Sequence, residues 1–369
     1  MNVPVNEPVI TPAAKKYVAD AMETGWVSSG GPYLEKFEKA FAEYVGVKHA
    51  IAVTSGTAAL HIALLSVKIG AGDEVIVPDF TMIASVFAII YTGATPIFVD
   101  IESDTYNIDV TKIEAAITKK TKAIMPVHIY GHSVDMDPLL AIAKKRGLKV
   151  IEDAAEAHGA LYNEKQCGSM GDIGCFSFYG NKIITTGEGG MIVTNDDGLA
   201  EHMRRLKDLS HMPGRRFWHD EVGYNYRMTN LQAALGLGQM ESITDFLRHK
   251  DWMAGEYGKR LGKIKGIQLP VTKKYAKNVH WMYGILLTEE FPMTRDAFRA
   301  ALKEKGVDTR DFFPSSAKQP IIQKLYHRSE RFPVSEKVAN QGCYLPSGLA
   351  LTQEQINYVC DSIESIAKA

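Results

Sequence analysis

The sequence predicts an α/β fold: a mainly parallel seven-stranded sheet sandwiched by helices, followed by a smaller C-terminal α+β unit. Three observations carry this reading. Short apolar runs recur between about residues 50 and 195, stretches with helical spacing separate the earlier ones, and the pattern changes to long helical spacing beyond about residue 230. Runs that are apolar on both faces suit strands covered on both sides.

The strands are expected at AIAV (50–53), EVIVP (74–78), TPIFVD (95–100), KAIMPVH (122–128), KVIEDA (149–154), IGCFSF (173–178) and GMIVTN (190–195). The last two are closely spaced, which fits an antiparallel addition to the sheet. SGTAALHIALLSV (55–67) and DPLLAIAKKRG (137–147) read as helices between strands. One long helical pattern then runs from Met228 to Leu261. WMYGILLT (281–288), TRDAFRAALKEKG (294–306) and TQEQINYVCDSIESIAKA (352–369) supply the second unit. A chain of 369 residues exceeds one ordinary core. The expected division is therefore a large domain, residues 1–248, and a small one, residues 249–369, with the N-terminal segment packing on the small domain.

Composition excludes several classes. Hydrophobic residues at 46% and charged residues at 23% are ordinary globular values. Lys plus Arg (42) balance Asp plus Glu (43), so nucleic acid is not the expected partner. The longest apolar run, MIASVFAIIY (82–91), is about half a membrane span, and the N-terminus lacks the basic-then-apolar order of a secretory signal. The four cysteines are scattered, which suggests neither zinc nor a disulfide framework. A cytoplasmic protein without a membrane partner is expected. His128 and His132 have the spacing of a helical metal pair, but they flank a turn after a strand, so no metal site is expected.

In open α/β sheets, ligands bind where loops leave the carboxyl ends of strands. Three groups stand there. Ser55-Gly56-Thr57 opens a helix, as a plain N-cap or as an anion site on the helix amides. Asp153 ends a buried strand, where it either caps the next segment or holds a cationic nitrogen. Lys182 follows the sixth strand, ahead of the turn TTGEGG (185–190). It is either a snorkelling surface lysine or an amine whose lowered pKa makes it nucleophilic toward carbonyls. Together the three form the inventory that pyridoxal phosphate requires. No P-loop and no G-x-G-x-x-G fingerprint offers a competing nucleotide chemistry.

At these residues the sequence resembles the nucleotide-sugar aminotransferases of the DegT/StrS type, among the fold-type-I pyridoxal phosphate enzymes. The likeness runs nearly end to end, through GWVSSGGPYLEKFEKAFAEYVGVKHAIAVTSGTAALHIALL (25–65), GDEVIVPDFTMIAS (72–85), VIEDAAEAHGA (150–160), SFYGNKIITTGEGGMIVTND (177–196) and GYNYRMTNLQAALGL (223–237). The resemblance implies that Lys182 bonds the pyridoxal 5'-phosphate, Asp153 pairs with its ring nitrogen and Glu156 lies near its phenolic oxygen. Gly56, Thr57 and Ser177 would hold its phosphate, next to Ser55, which the helix start already offers as a cofactor-binding residue. Met82 stands where relatives often stack an aromatic ring on the cofactor. Asn225 would reach the phosphate of a neighbouring subunit's cofactor, which implies a homodimer with shared active sites. The implied reaction moves an amino group from L-glutamate to a nucleotide-linked 4-keto-6-deoxy sugar, for O-antigen lipopolysaccharide. FWHDEVGYNYRMTN (217–230) is most similar to the branch that aminates C4 of a GDP-linked 4-keto-6-deoxymannose. TRDFFPSSAKQP (309–320) lacks the Pro-x-His found there in many such relatives. The alternatives are a 4- or 3-aminotransferase of a dTDP- or UDP-keto sugar, a dehydrating relative, and a cofactor-binding regulator. Relatives that dehydrate carry histidine in place of the lysine, and regulators append a DNA-binding domain.

Overall fold

The computed structural model describes residues 1–327 and 329–368. Seven strands form the main sheet: β1 (His49–Val53), β2 (Glu74–Pro78), β3 (Thr95–Val99), β4 (Thr121–Ile124), β5 (Lys149–Asp153), β6 (Ile173–Ser177) and β7 (Gly190–Thr194). Their order is β1-β7-β6-β5-β4-β2-β3. Neighbours from β6 across to β3 are parallel, while β7 runs antiparallel to both β6 and β1. The expected run at 122–128 leaves the sheet early. Pro126 has no N–H for a ladder, and beyond Ile124 the pairing is reduced to the Met125 amide on Ile76 O at 2.7 Å and a bridge from Val127 to Asp153.

Side chains alternate across the central strands with a period of two. Ala50, Ala52, Phe176, Met191 and Val193 face one core. Ile51, Val53, Ile173, Cys175 and Ile192 face another. The first core is filled by the helix Pro32–Val45, whose Tyr33, Phe37, Phe41 and Val45 recur every four residues and are all buried. Phe41 meets Phe176 and Phe178 edge-on, at ring-centroid distances of 4.9 and 5.3 Å. Such pairs add about 0.5–1.5 kcal/mol each beyond the area they bury. The opposite face is covered by the helix Gly56–Ser66, nine of whose eleven residues are buried. That helix is therefore apolar all round and has nowhere to slide, which fixes its N-terminus against the ends of β1 and β6.

The long helical pattern resolves into two helices, Asn230–Met240 and Ile243–Leu261. A capping box between Thr229 and Gln232 starts the first. The break follows Met240, where the Ser242 amide turns back to the Gln239 carbonyl at 3.1 Å. Residue 248 falls inside the second helix. An antiparallel sheet of Ile267–Gln268, Tyr283–Leu287, Gly342–Leu345 and Arg310–Asp311, in that order, builds the C-terminal core with the helices Arg295–Glu304 and Gln353–Lys368. The N-terminal segment joins this sheet region: the Val3 amide donates to Gly306 O at 2.9 Å, and the Asp308 amide donates to Val3 O at 2.9 Å. No described helix is long and apolar enough to cross a membrane.

Candidate active site

The carboxyl ends of β1, β2, β5 and β6 and the start of β7 share one edge of the sheet. A cavity of about 480 Å³ opens there. Eight of the nine residues singled out in the sequence line it: Ser55, Gly56, Thr57, Met82, Asp153, Glu156, Ser177 and Lys182. Asn225 is not among the lining residues. Its backbone pairs with Asp208, and its Oδ1 accepts from Arg227 Nε at 3.1 Å.

At one end of the cavity the helix Gly56–Ser66 begins. Ser55 Oγ accepts from the Ala58 amide at 3.1 Å, and the other first-turn amides have no intrahelical acceptor. The helix start and β7 touch backbone to backbone: a Cβ on Gly190 would come within 2.4 Å of Ser55 O. A Cβ on Gly56 would lie 2.8 Å from Ser177 Cβ. Glycine at these positions leaves a cradle of amides with Ser177 beside it, the donor set a phosphate takes at a helix N-terminus.

Asp153 closes β5. Its Oδ2 accepts from Ser85 Oγ at 2.7 Å, and its Oδ1 accepts from the Ala155 amide at 3.1 Å. Burial raises its pKa, and these two hydrogen bonds oppose the rise. No cation stands within ion-pair distance of it among the described residues, so a protonated ring nitrogen would supply the missing charge. The strand end is held from behind by Glu152, which points to the opposite face. Glu152 accepts from His128 Nε2 at 2.9 Å and from the amides of Gly168 and Met170 at 2.7 Å. His128 Nδ1 accepts from the Val134 amide at 3.1 Å, which puts the ring proton on Nε2. The two histidines of the sequence pair thus part: His128 braces β5, while His132 Nδ1 lies 2.7 Å from Ser133 O.

Lys182 sits in the turn after β6. Its side chain is only 10% exposed, which ends the snorkelling alternative. Nζ lies 3.7 Å from Glu156 Oε1 and 3.6 Å from the centroid of the Trp281 ring. Burial lowers the pKa of the amine, and the carboxylates of Glu156 and Asp153 work against that. Burial pushes Glu156 up to about 7, despite the charge of Lys182 and the Tyr130 amide that donates to Oε2 at 2.7 Å. An amine of lowered pKa beside a carboxyl that titrates near neutrality can serve as nucleophile and then as proton carrier.

The cradle, the uncompensated carboxylate and the buried amine fit pyridoxal phosphate, with Met82 half-exposed on the rim. Sequence reasoning missed Ser85, Trp281, Phe313 and Tyr344. Ser85 and Trp281 hold the two central groups, and Phe313 and Tyr344 complete the wall. None carries a signal in the sequence, because each comes from an element whose facing residues are set only by packing.

Known proteins resemble the chain over nearly its whole length. The model of the DegT/DnrJ/EryC1/StrS aminotransferase family matches residues 8–364. The GDP-perosamine synthase of Caulobacter vibrioides is 46% identical over 353 residues, covering 95% of each chain. That of Escherichia coli O157:H7 is 46% identical over 363 residues, covering 98% of this chain and 97% of its own. Among solved structures, Spr1654 from Streptococcus pneumoniae in its PMP form superposes with a TM-score of 0.94 at 25% identity, over 100% of this chain and 98% of its own.

Proposed function

Because the chain belongs to the DegT/DnrJ/EryC1/StrS aminotransferase family and is a pyridoxal phosphate-dependent sugar aminotransferase, we propose that it converts GDP-4-keto-6-deoxy-D-mannose to GDP-perosamine with L-glutamate as donor. The observation that carries the mechanism is the placement of Lys182, Glu156 and Asp153 in one cavity beside the Gly56 helix start. When bound, pyridoxal 5'-phosphate supplies a carbonyl that exchanges amino groups and a protonated ring that takes up an electron pair.

Each residue has a separate task in this reading. Ser55, Gly56, Thr57 and Ser177 would bind the phosphate, with Met82 at the ring. Asp153, steadied by Ser85, would keep the ring nitrogen protonated. Lys182 would hold the cofactor through Nζ and, as a free amine, would carry protons. Glu156 accepts or returns a proton at the oxygen that faces Lys182.

The active unit in this reading is a homodimer with shared sites. Lys182 is the one basic side chain lining the cavity among the described residues, against Asp153, Glu156 and Glu188. A dicarboxylate donor and a nucleotide diphosphate need more positive charge than that, and Asn225, exposed and outside this cavity, would serve a second subunit. Tyr179, which lines the cavity, is 51% exposed, and Phe217 and Trp218 on the strand Arg215–His219 are 74% and 58% exposed. Four buried free cysteines suit a reducing cytoplasm. In this reading the chain divides into residues 1–248, which would hold the cofactor, and residues 249–369, which supply Trp281, Phe313 and Tyr344 to the cavity wall. Incubation with L-glutamate and GDP-, dTDP- and UDP-linked keto sugars, read by mass spectrometry, tests the assignment. Amination of the GDP sugar first supports it, and amination confined to the others overturns it.

A further inference from the structure

Trp281 reaches the cavity from just ahead of the strand Tyr283–Leu287 and is 3% exposed. Four contacts fix it. Its backbone N–H donates to Tyr130 O at 3.0 Å, and its carbonyl accepts from Lys250 Nζ at 2.9 Å. Its indole Nε1–H donates to Asn181 O at 2.8 Å, and its ring centroid lies 3.6 Å from Lys182 Nζ. His280, directly before it, holds a φ of +47°, a conformation a residue other than glycine keeps only where its surroundings impose it. One side chain therefore grips both residues of the Asn181–Lys182 turn, the first through its carbonyl and the second through its amine.

Among the described residues the amine has no charged partner closer than Glu156. Glu156 Oε1, at 3.7 Å, is beyond hydrogen-bond distance. The other titratable groups around it are Asp153, His158 and, through Glu156, Tyr130 and Tyr344. Behind the tryptophan stand His280 and Lys250, both of whose pKa values burial lowers, that of Lys250 to about 7. An indole face attracts an ammonium most strongly where water is excluded, and this pair is buried.

We propose that Trp281 is a positioning residue for Lys182: its ring face carries the ammonium form of the freed amine, while its N–H pins the turn that bears it. The inference rests on Lys182 being the amine that bonds the cofactor. Trp281 itself makes and breaks no bond.

The test uses the full-length cofactor-free chain and competitive acetylation of Lys182 across pH, read by peptide mass spectrometry. Trp281→Leu keeps an apolar wall and removes the π face. It should lower the pH of half-maximal labelling by about half a unit or more, whereas Trp281→Phe, which retains a ring, should stay nearer wild type. In the loaded enzyme the glutamate half-reaction should slow about tenfold in the leucine variant, with little change in KM. A leucine variant that melts like wild type and labels at the same or a higher pH overturns the proposal. If that variant does not fold, the wild type carries the test. The Trp281 indole N–H resonance, assigned by its loss in Trp281→Phe, should show a pH transition that disappears in Lys182→Met. A resonance whose pH dependence is the same in wild type and Lys182→Met overturns the proposal. Failure of borohydride to fix cofactor on wild-type Lys182 would instead remove the reading beneath it.

Discussion

Glu156 and Lys182 face each other across 3.7 Å inside the cavity, and both side chains are at least 90% buried. Neither is fully at ease as an ion: burial raises the acid to about 7 and lowers the amine. A small change in what lies between them is therefore enough to move a proton.

The sign of the resulting pH effect follows from linkage. Between the ordinary carboxyl range near 4.5 and about 7, the folded cofactor-free chain holds a proton on Glu156 that the unfolded chain has lost. Stability should fall as pH rises through that window and level off above it. In Glu156→Gln this fall should be absent, so the melting temperature of the variant gains on wild type from pH 4.5 to 7.5. The difference should amount to no more than about 3 kcal/mol. Parallel melting curves at all pH values would contradict the assignment.

Lys250 gives the opposite slope. It is buried, and among the described residues it donates only to the carbonyls of Trp281 and Ser347. Burial brings its pKa down to about 7. Between about 7 and 10.5 the unfolded chain holds the extra proton, so stability from this group should rise with pH. Lys250→Met should lose that rise, and chemical denaturation at pH 7 and pH 9.5 measures it.

The folding signals were unevenly visible in the sequence. Ser55, Asp153 and Lys182 were legible because each is a polar residue where an apolar run stops, and the strand ends later proved to share one edge. Ser85 was not legible: it lies on the short helix Ala84–Tyr91, within an apolar run that gives no sign of which face meets Asp153. Trp281 read as the opening of a strand and only the fold brings it to Lys182. The stop after Met240 was hidden because apolar spacing continues across it. At β4, by contrast, Pro126 was the signal that the expected strand could not run to residue 128.

Close backbone contact at the phosphate cradle should be intolerant of a single methyl group. Gly190→Ala drives a Cβ to 2.4 Å from Ser55 O, so either β7 or the helix start must shift. Cofactor affinity, measured by fluorescence titration, should weaken about tenfold or more. Unchanged affinity would place the phosphate elsewhere.

Asp153→Asn should keep the cofactor bound but remove the charge opposite its ring nitrogen. The glutamate half-reaction should slow by about a hundredfold or more. Ser85→Ala, which removes one hydrogen bond and leaves the charge, should cost far less, of the order of tenfold. Equal losses in the two variants would mean that Asp153 acts only as a structural cap.

Borohydride reduction of the purified holoenzyme, followed by peptide mapping, asks most directly whether Lys182 is the amine that bonds the cofactor. The protein should absorb visible light, lose that absorbance on reduction, and carry the cofactor's mass on Lys182, with none fixed in Lys182→Ala. A reduced cofactor mass on another lysine, or a protein that stays colourless with added pyridoxal 5'-phosphate, would contradict it.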